Sequence, residues 1–581
     1  MNPLKVVLVT GRTVEQGIEG EAGKLREKYA KKVAVVELDA KDLKLLGIDE
    51  GRPVLIKTLH GEVVLRAIAA KGRHPGIVFA PMSPWINIVI GSETDGSGMP
   101  TFKGIEAEVY PTDERVLSIE ELLKKYYGQE ISSSELTSQE LAPKNGSGGE
   151  QLFKDVVCPF CGCLCDDVEV LVRNGAIVEV RKACAIGSAK FLGHRKERAL
   201  HPLVRKGGTF VKVSLNEAIE EAAKILANSK YSLLYGWSST SIQANALGIE
   251  LAEILGGVID NTTSVCHGPT VLGVQGVGTV RATLGQIRNR ADLIVYWGSN
   301  PLNAHLRHLM RYSALAKGVF VPGRKQRKVV VIDVRETPMA KMADLFIKVK
   351  PGQDYELISA LRMAVKELDI EAEEVAGVPV EKIYQLAEIM RTAKFGAVFF
   401  GVGVTMSPGK DETLENIIRL VQDLNEWTKF VLCPMRGHFN VTGACNVSLW
   451  MTGYAFGIDY MRKFPRHDAA IWTVTELLSN EDVDAALIVA SDPLAHLPKR
   501  AAENLTKIPL IVVDPRFNVT AAAARVFIPS SFVGIEKEGT AYRMDGVSLR
   551  LKKVVDPPEG VISDEEILSL LIDRVKKLRG V

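Results

Sequence analysis

Five cysteines lie close together along the chain, in a spacing that suits an inorganic cofactor. Four are within Cys158–Cys165, and Cys184 follows alone after 18 intervening residues. A cubic iron–sulfur cluster needs one external thiolate for each iron, whereas a structural zinc ion is usually held by two paired-cysteine motifs. The spacing therefore favours a [4Fe–4S] cluster over zinc, with Cys163 as a spare small side chain and four ligands, Cys158, Cys161, Cys165 and Cys184.

A second cysteine motif, Cys266-His267-Gly268-Pro269, follows a polar run that starts at Asp260. A cysteine beside a histidine can be a nucleophile with its base, or a soft metal ligand beside a proton carrier. The structural alternative is a buried thiol next to a turn histidine. The motif alone leaves all three interpretations open.

The third candidate is an arginine in a glycine-rich loop. Arg436 and Gly437 follow an apolar strand at Phe430–Leu432, so this loop could hold a fixed cation towards an anionic ligand. A surface arginine is the alternative. His438 and Cys445 follow in the same segment, and we expect them to pack or to form hydrogen bonds rather than to bind metal.

Two similar stretches of sequence indicate two nucleotide-binding lobes. One strand ends in Trp297-Gly-Ser-Asn-Pro301 and a later one in Val489-Ala-Ser-Asp-Pro493, and each precedes a strand that ends in Asp and Arg. Small residues at a strand end let backbone amides reach phosphates, and an acid after the next strand can hold a ribose or a base edge. The predicted contacts are Gly298, Ser299, Asn300, Asp333, Arg335, Gly352 and Asp354 in the first lobe and Asp492 and Asp514 in the second.

The elements that must position these residues change character along the chain. Residues 1–127 contain short β-prone runs between glycine and proline turns, which predicts a small barrel. Residues 128–151 are rich in Ser, Glu, Gln and Gly, which predicts a flexible linker. From Leu152 onward, continuous apolar runs alternate with helical stretches and predict parallel sheets covered on both faces. The predicted strands are Val6–Thr10, Val33–Leu38, Pro53–Thr58, Glu62–Ala67, Ile77–Ala80, Ser232–Tyr235, Leu293–Trp297, Val329–Val334, Ala397–Val404, Ala485–Ala490 and Leu510–Val513.

The composition is that of a globular protein and excludes several functions. Of the 581 residues, 46% are hydrophobic and 24% are charged, and the net charge is +2. Near-neutrality argues against a nucleic-acid-binding sleeve or a membrane-surface protein, and no apolar run approaches the roughly 18 residues of a membrane span. The first residues lack a signal-peptide pattern, and eight cysteines are too few for a disulfide scaffold. We therefore expect a cytoplasmic protein.

Together these motifs resemble those of the molybdopterin oxidoreductases, and within them the formylmethanofuran dehydrogenases of methanogens and related archaea. Residues 152–581 resemble the catalytic subunit, and residues 1–127 resemble the small subunit that binds molybdopterin dinucleotide. In most of the superfamily the part that binds the dinucleotide is C-terminal on the same chain, whereas here it is N-terminal. The motifs that carry the resemblance are the cysteine cluster with Asp166 and Asp167, Cys266–Pro269, Met435–Gly443, Ala80–Asn87 and Gly96–Gly104.

The resemblance implies a fold and its division into domains. The fold is an α/β multi-domain molybdopterin oxidoreductase body with doubly wound parallel-sheet lobes, plus an N-terminal double-psi β-barrel. The implied divisions are a dinucleotide-binding barrel at 1–127, a linker at 128–151, a [4Fe–4S] domain at 152–205, a first pterin-dinucleotide lobe with the active-site cysteine at 206–430, and a second such lobe at 431–581.

The resemblance also implies cofactors, namely the [4Fe–4S] cluster, two molybdopterin guanine dinucleotides, and tungsten or molybdenum. Cys266 would be the protein thiolate on the metal, His267 a proton relay, and Arg436 the group that orients the carboxylate of formate. The other residues implied in cofactor binding are Lys190, as a bridge between cluster and pterin, and Trp85, Asn87 and Gly437.

The implied reaction is the reversible reduction of carbon dioxide to formate with ferredoxin-level electrons. A separate amidohydrolase-type subunit would condense formate with methanofuran, and polyferredoxin or ferredoxin subunits would carry electrons. No nucleic-acid partner and no membrane span are expected. Three alternatives stay open: a stand-alone formate dehydrogenase, a non-catalytic electron-transfer or scaffold subunit of the same fold, and a zinc-stabilised binding protein.

Overall fold

The computed structural model describes residues 3–130 and 149–581, so most of the predicted linker at 128–151 lies outside the described residues. The N-terminal part is a six-stranded unit with four helices. Its strands are β1 (Leu4–Gly11), β2 (Val35–Leu38), β3 (Pro53–Thr58), β4 (Gly61–Ala69), β5 (Ile77–Pro81) and β6 (Lys103–Pro111), and its helices are α1 (Val14–Gly20), α2 (Glu27–Val33), α3 (Ala40–Leu46) and α4 (Ile119–Tyr127).

These six strands close into a barrel in the order β1-β5-β2-β4-β3-β6. The pairs β1/β5 and β2/β4 are parallel, whereas β6 runs antiparallel to β1 and β3. This mixed barrel agrees with the expected double-psi class. Strand β2 begins at Val35 rather than at the predicted Val33, because helix α2 continues through Val33. Strand β6 has no counterpart among the predicted runs, although its apolar residues alternate with glutamates.

A small sheet then carries the cysteine cluster. Strands β7 (Glu150–Val156), β8 (Val168–Arg173) and β9 (Ala176–Arg181) form an antiparallel sheet, and helix α5 (Ala185–Gly193) follows it. The segment Cys158–Cys165 is the connection between β7 and β8, so the sheet fixes both ends of the loop that carries the thiols.

The largest sheet has nine strands in the order β11-β10-β25-β24-β23-β12-β13-β21-β22. Its centre, from β25 to β13, is parallel, and these strands are buried except at Asp514, the last residue of β24, as continuous apolar runs require. The strands are β10 (Leu203–Lys206), β11 (Thr209–Lys212), β12 (Ser232–Gly236), β13 (Val258–Asn261), β21 (Ile458–Asp459), β22 (Arg466–His467), β23 (Ala485–Val489), β24 (Leu510–Asp514) and β25 (Val526–Pro529).

The second α/β lobe is a wholly parallel five-stranded sheet in the order β16-β15-β14-β19-β20. It is inserted between β13 and β21 of the nine-stranded sheet. The predicted boundary at residue 430 is therefore wrong, because strands of 206–430 belong to both sheets and the larger sheet needs both halves of the chain. The strands are β14 (Leu293–Trp297), β15 (Lys328–Asp333), β16 (Leu345–Lys348), β19 (Phe395–Phe400) and β20 (Lys429–Pro434), with small hairpins β17/β18 (Glu374–Val375, Val378–Pro379) and β26/β27 (Gly539–Tyr542, Ser548–Leu551).

Helices cover both faces of the two parallel sheets. No helix within residues 3–130 and 149–581 is both long and apolar enough to cross a membrane. The helices of the body are α6 (Leu215–Asn228), α7 (Ile242–Leu255), α8 (Gly268–Val277), α9 (Leu284–Arg290), α10 (Pro301–Ala304), α11 (His308–Tyr312), α12 (Asp354–Val365), α13 (Val380–Arg391), α14 (Val402–Thr405), α15 (Lys410–Leu424), α16 (Val441–Thr452), α17 (Val474–Ser479), α18 (Lys499–Leu505) and α19 (Asp564–Arg579).

A buried ion pair fastens the segment after β25 to the body. The Arg198 and Glu536 side chains are almost fully buried, with Nη2 and Oε2 2.7 Å apart, and the same guanidinium donates to the Ser530 carbonyl. Removing one partner of such a pair leaves an uncompensated charge and costs about 3–5 kcal/mol.

We expect Glu536→Gln to lower the melting temperature measured by calorimetry. Glu217→Gln breaks the exposed pair with Lys206 and should leave the melting temperature unchanged. Equal melting temperatures for the two variants would contradict this.

Candidate active site

A cavity of about 380 Å³ lies against the cysteine loop, and all five clustered cysteines line it. Cys184 begins helix α5, and its Sγ accepts a hydrogen bond from the Gly187 backbone N–H at 3.3 Å. A β-carbon at Gly187 would lie 3.1 Å from the Sγ of Cys158 and 3.6 Å from that of Cys184, so glycine allows the thiols to approach each other. Burial and the neighbouring thiols raise the pKa of Cys158. Several thiolates could coexist here only with cations among them.

The donor set fits a cluster better than a single ion. In the described part of the chain, no three His, Cys, Asp or Glu side chains are placed to share one metal ion. A cubic cluster instead takes one thiolate on each of four irons. The remaining lining is mostly apolar, and an apolar lining limits solvent access to a cluster and so affects its potential.

The two acids that follow the cysteine motif bind arginines of the neighbouring lobe. The Arg307 guanidinium donates to both carboxylate oxygens of Asp167, at 2.6 and 2.7 Å, and Arg311 pairs with Asp166 and Asp167. Arg307 directly precedes helix α11, and Arg311 lies within it. Asp166 and Asp167 thus fix the cysteine loop, Cys158–Cys165, against the five-stranded lobe.

Cys266 lies in the loop between strand β13 and helix α8. Backbone hydrogen bonds to the Thr263 carbonyl hold this loop tightly closed. The Thr405 hydroxyl of α14 donates to the Cys266 carbonyl at 2.6 Å. Burial raises the pKa of the Cys266 thiol, while the Arg436 charge and the Gly437 backbone N–H oppose the increase. The structure therefore brings the predicted cysteine, arginine and glycine together, in surroundings where a cation would favour the thiolate.

His267 next to this thiol is fully buried and neutral. Burial, together with the nearby Arg436 charge, lowers the pKa of His267 to about 3. Its Nδ1 lies 3.1 Å from the Thr270 hydroxyl, and its buried Nε2 has no hydrogen-bond partner among the described residues. A neutral imidazole with one unused nitrogen can accept or deliver a proton at that nitrogen.

Arg436 is buried and forms no salt bridge within residues 3–130 and 149–581. Its Nη1 donates to the Cys445 Sγ at 3.3 Å, and its Nε has no partner. The Cys445 thiol also lies 2.9 Å from the Thr263 hydroxyl, on the loop of Cys266. Cys445 forms hydrogen bonds, as expected, and it links the arginine to the cysteine loop. A buried cation without a carboxylate can accept an anionic ligand.

This contact predicts that Cys445 orients Arg436. Cys445→Ala removes an acceptor from a charged donor, and we expect the KM for an anionic substrate to rise about tenfold with a smaller change in kcat. Cys445→Ser restores an acceptor and should recover part of the affinity. Cys433, a buried thiol on β20 whose nearest acceptor is the Pro434 carbonyl, supplies the control, since Cys433→Ala should leave the KM unchanged. A KM in Cys445→Ala equal to that in Cys433→Ala would contradict the assignment.

A cavity of about 930 Å³ lies between the barrel and the carboxyl ends of the five-stranded sheet. Gly298 has a φ of 51°, and a β-carbon there would lie 2.9 Å from the Cα of Gly403, so only glycine lets these two loops meet. Seven residues predicted from the strand ends line this one cavity: Gly298, Ser299, Asn300, Asp333, Arg335, Gly352 and Asp354.

Several charges control the electrostatics of this first cavity. The Trp297 indole N–H donates to Asp354 at 2.8 Å, and burial raises the pKa of Asp354 to about 7. Arg335 lies over the Phe79 ring of the barrel, 4.0 Å from its centroid. The barrel adds Lys103, whose ammonium donates to the Thr10 carbonyl and whose pKa burial lowers to about 7. The cavity is thus lined by charges of both signs from two domains.

Sequence reasoning missed the two barrel cations, Arg12 and Lys103, which line the same cavity. Lys103 lies inside the Gly96–Gly104 motif and Arg12 directly follows β1, so the motif and the strand end were the available signals. A charged residue in a short β-rich unit looks like ordinary surface, and only the docking of the barrel places these two at the cavity, where Lys103 is buried and Arg12 is exposed.

In an open parallel sheet a crevice lies outside the carboxyl ends of the strands, and the two acids of the second lobe lie at the ends of β23 and β24, here called the second crevice. Asp492 pairs with Lys24 of the barrel part at 3.0 Å and accepts a hydrogen bond from the Thr520 hydroxyl at 2.7 Å. Asp514 accepts from the Arg516 backbone N–H at 2.8 Å, and burial raises the pKa of Asp514 to about 6. The two predicted acids of the second lobe are therefore neighbours, with a barrel lysine between them and solvent.

The structure does not bring the other predicted residues to the first cavity. The Lys190 ammonium pairs with Glu21 at 3.2 Å, and Lys190 does not line the cavity of the five cysteines. Trp85 is buried in the barrel and donates to the Leu117 carbonyl at 2.9 Å, so its polar group already has a partner. Asn87 is fully buried, neither polar atom of its side chain has a hydrogen-bond partner among the described residues, and it does not line the first cavity.

Comparisons with known proteins agree with this architecture. A family model described as molybdopterin oxidoreductase matches residues 198–574, and one described as molydopterin dinucleotide binding domain matches residues 6–106. The chain is 49% identical over 432 residues to a subunit of the tungsten-containing formylmethanofuran dehydrogenase 2 of Methanocaldococcus jannaschii, covering 74% of this chain and 99% of that protein.

Two further matches cover the barrel and the fold. Protein FwdD of Methanocaldococcus jannaschii is 42% identical over 128 residues, 21% of this chain and 96% of that protein. The crystal structure of a formyltransferase/hydrolase complex from Methylorubrum extorquens contains a chain of similar fold, with a TM-score of 0.53, 24% identity and coverage of 65% of this chain and 99% of that one. The chain therefore belongs to the molybdopterin oxidoreductases, in the group of the formylmethanofuran dehydrogenases.

Proposed function

We propose that this chain reversibly reduces carbon dioxide to formate at a tungsten centre held by Cys266 and two molybdopterin guanine dinucleotides, with electrons from a [4Fe–4S] cluster. One observation carries the proposal. The Gly162 N–H of the cluster loop donates to the Gly437 carbonyl at 3.3 Å, Cys161 and His438 form a β-bridge, and the Gly437 N–H approaches the Cys266 thiol. One short segment thus touches both the cluster loop and the thiol.

The side chains around Cys266 suit formate and carbon dioxide. Arg436 would bind the carboxylate by charge-assisted hydrogen bonds, since its guanidinium has no acidic partner among the described residues. His267 would hold the proton that leaves or enters carbon at its unpartnered Nε2. When bound, the metal with its soft sulfur ligands would supply two-electron chemistry. Buried surroundings exclude water from these groups and strengthen their electrostatic interactions.

The first cavity, of about 930 Å³, would hold one dinucleotide and the Asp492–Asp514 crevice the other. Small strand-end residues and the Asp333 and Asp354 carboxyls are the groups that a phosphate and a guanosine need. Tungsten is favoured over molybdenum, because the relative of 49% identity is named as tungsten-containing.

Condensation with methanofuran is assigned to a separate amidohydrolase-type subunit, and electron supply to polyferredoxin or ferredoxin subunits. The relatives named as a formylmethanofuran dehydrogenase subunit and as FwdD, and the similar chain in a formyltransferase/hydrolase complex, support a multi-subunit assembly. Eight unpaired thiols suit a reducing cytoplasm. A stand-alone formate dehydrogenase is the second candidate, and copurification of an amidohydrolase subunit with this chain would decide against it.

Elemental analysis of the anaerobically purified protein tests the proposal. We expect about one tungsten, four irons and, after acid treatment, two guanine nucleotides per chain. Iron without tungsten or guanine would indicate a scaffold subunit and overturn the catalytic assignment. Zinc without iron would overturn the cluster as well.

A further inference from the structure

The cluster cavity and the first dinucleotide cavity share two lining residues, Ala304 and His305, at the end of helix α10. His305 is the only one of the pair with a polar side chain, and it is almost fully buried. Its backbone N–H donates to the Pro301 carbonyl at 2.8 Å, which fixes it to the strand-end motif that begins at Gly298. A polar ring therefore lies in the wall between the two cavities.

The hydrogen bond of this ring determines where its proton is. The His305 Nε2 lies 2.8 Å from the Arg436 carbonyl oxygen. A carbonyl can only accept, so Nε2 carries the proton. Burial lowers the pKa of His305, which favours the neutral ring, and a neutral ring with its proton on Nε2 has a lone pair on Nδ1. No residue of the described chain donates a hydrogen bond to that nitrogen.

We propose that His305 is a positioning residue that joins three parts of the site. Its Nε2–H holds the backbone of Arg436, and its Nδ1 accepts a hydrogen bond from an N–H group at the pterin end of the first dinucleotide, next to the cluster. The proposal rests on the proposed function, since it requires both cofactors. It adds a specific link through which the pterin, the cluster wall and the anion-binding arginine keep a fixed geometry.

Two substitutions separate the two bonds. The amide of His305→Gln can reach the position of Nε2 and keep the Arg436 bond, while it loses the acceptor at Nδ1. The amide of His305→Asn can reach the position of Nδ1, while it is too short to hold the Arg436 carbonyl. His308 is a matched control: it is buried three residues later, and its Nδ1 lies 3.2 Å from the Tyr296 hydroxyl and 3.0 Å from the Ser313 hydroxyl.

The experiment uses the full chain with its cofactors. The content of metal, iron and dinucleotide is measured for each variant. We expect His305→Gln to keep the KM for formate within about twofold, to slow formate-driven bleaching of the cluster about tenfold, and to change the EPR signal of the partly reduced metal. His305→Asn should raise the KM about tenfold. His308→Gln should resemble wild type in all three readouts.

A wild-type EPR signal and bleaching rate in His305→Gln would overturn the pterin contact, and a wild-type KM in His305→Asn would overturn the link to Arg436. Changes in His308→Gln as large as those in His305→Gln would reduce His305 to a packing role and overturn the proposal. If wild-type protein lacks iron, tungsten or guanine, the proposed function fails instead, so the two failures are distinguishable.

Discussion

Cys266→Ala is expected to abolish formate oxidation while leaving the visible spectrum of the iron–sulfur cluster intact. Loss of an outer-shell partner of a metal site already costs about 10–100-fold, so loss of a protein thiolate ligand should cost more than about a hundredfold in kcat. The cluster should survive because its cavity is lined by Cys158, Cys161, Cys165 and Cys184 and not by Cys266. Turnover with viologen and absorption spectra of the same samples measure both effects.

The control for this variant is Cys433→Ala. Cys433 is a buried thiol on β20 in the neighbouring lobe, and its removal leaves the Cys266 loop and Arg436 contacts in place. Retained activity in Cys266→Ala would refute the ligand assignment. Loss of the cluster spectrum in Cys266→Ala, with the spectrum retained in Cys433→Ala, would show that Cys266 serves the cluster rather than the metal.

The second large effect is expected for Arg436→Met, which should lower kcat/KM for formate about 10²–10³-fold. Formate is an anion in its ground state, so the KM for formate should rise. Carbon dioxide is neutral and acquires its charge only in the transition state, so in the reverse direction kcat should fall with little change in KM. Because the overall equilibrium is unchanged, kcat/KM must fall by the same factor in both directions.

Arg436→Lys refines this expectation. Lysine keeps the charge but has no planar fork for two hydrogen bonds to a carboxylate. It should therefore recover only a small part of the activity. Steady-state kinetics in both directions, with the melting temperature as the check on folding, test the pair of variants. A KM for formate in Arg436→Met equal to that of wild type would contradict the anion-binding role.

The strand-end residues could be predicted because their types follow from local requirements. Gly298 meets a neighbouring loop backbone, and Asp333 ends a buried strand, so both leave a local signal in the sequence. The parallel sheet then brings the ends of β14, β15 and β19 to one edge. The barrel was likewise predictable from its short strands and turns.

The division of the α/β body was not predictable in the same way. Buried parallel strands of the two sheets are equally apolar, as β14 and β23 illustrate, so a sequence pattern does not reveal which strands pair. Only tertiary pairing shows that β12 and β23 are adjacent although the entire five-stranded lobe lies between them in the chain.

The run Ala397–Val404 shows a similar ambiguity at short range. Its strand ends at Phe400, and Val402–Thr405 forms a helical turn instead, because a short apolar run fits either structure. This turn matters for the site, since its Thr405 hydroxyl binds the Cys266 carbonyl. The tautomer and partner of His305 were also invisible in the sequence, because they depend on a carbonyl 131 positions away.

The covalent connection of the barrel to the body has a consequence for assembly. The barrel supplies Arg12 and Lys103 to one wall of the first cavity and Lys24 to the second crevice. A dinucleotide bound in these spaces would contact the barrel and the body together, so docking of the barrel would complete its site. On one chain, docking is unimolecular and its rate does not depend on protein concentration. Translation as a single polypeptide thus sets a one-to-one ratio and lets each molecule close over its own cofactors without a search for a partner.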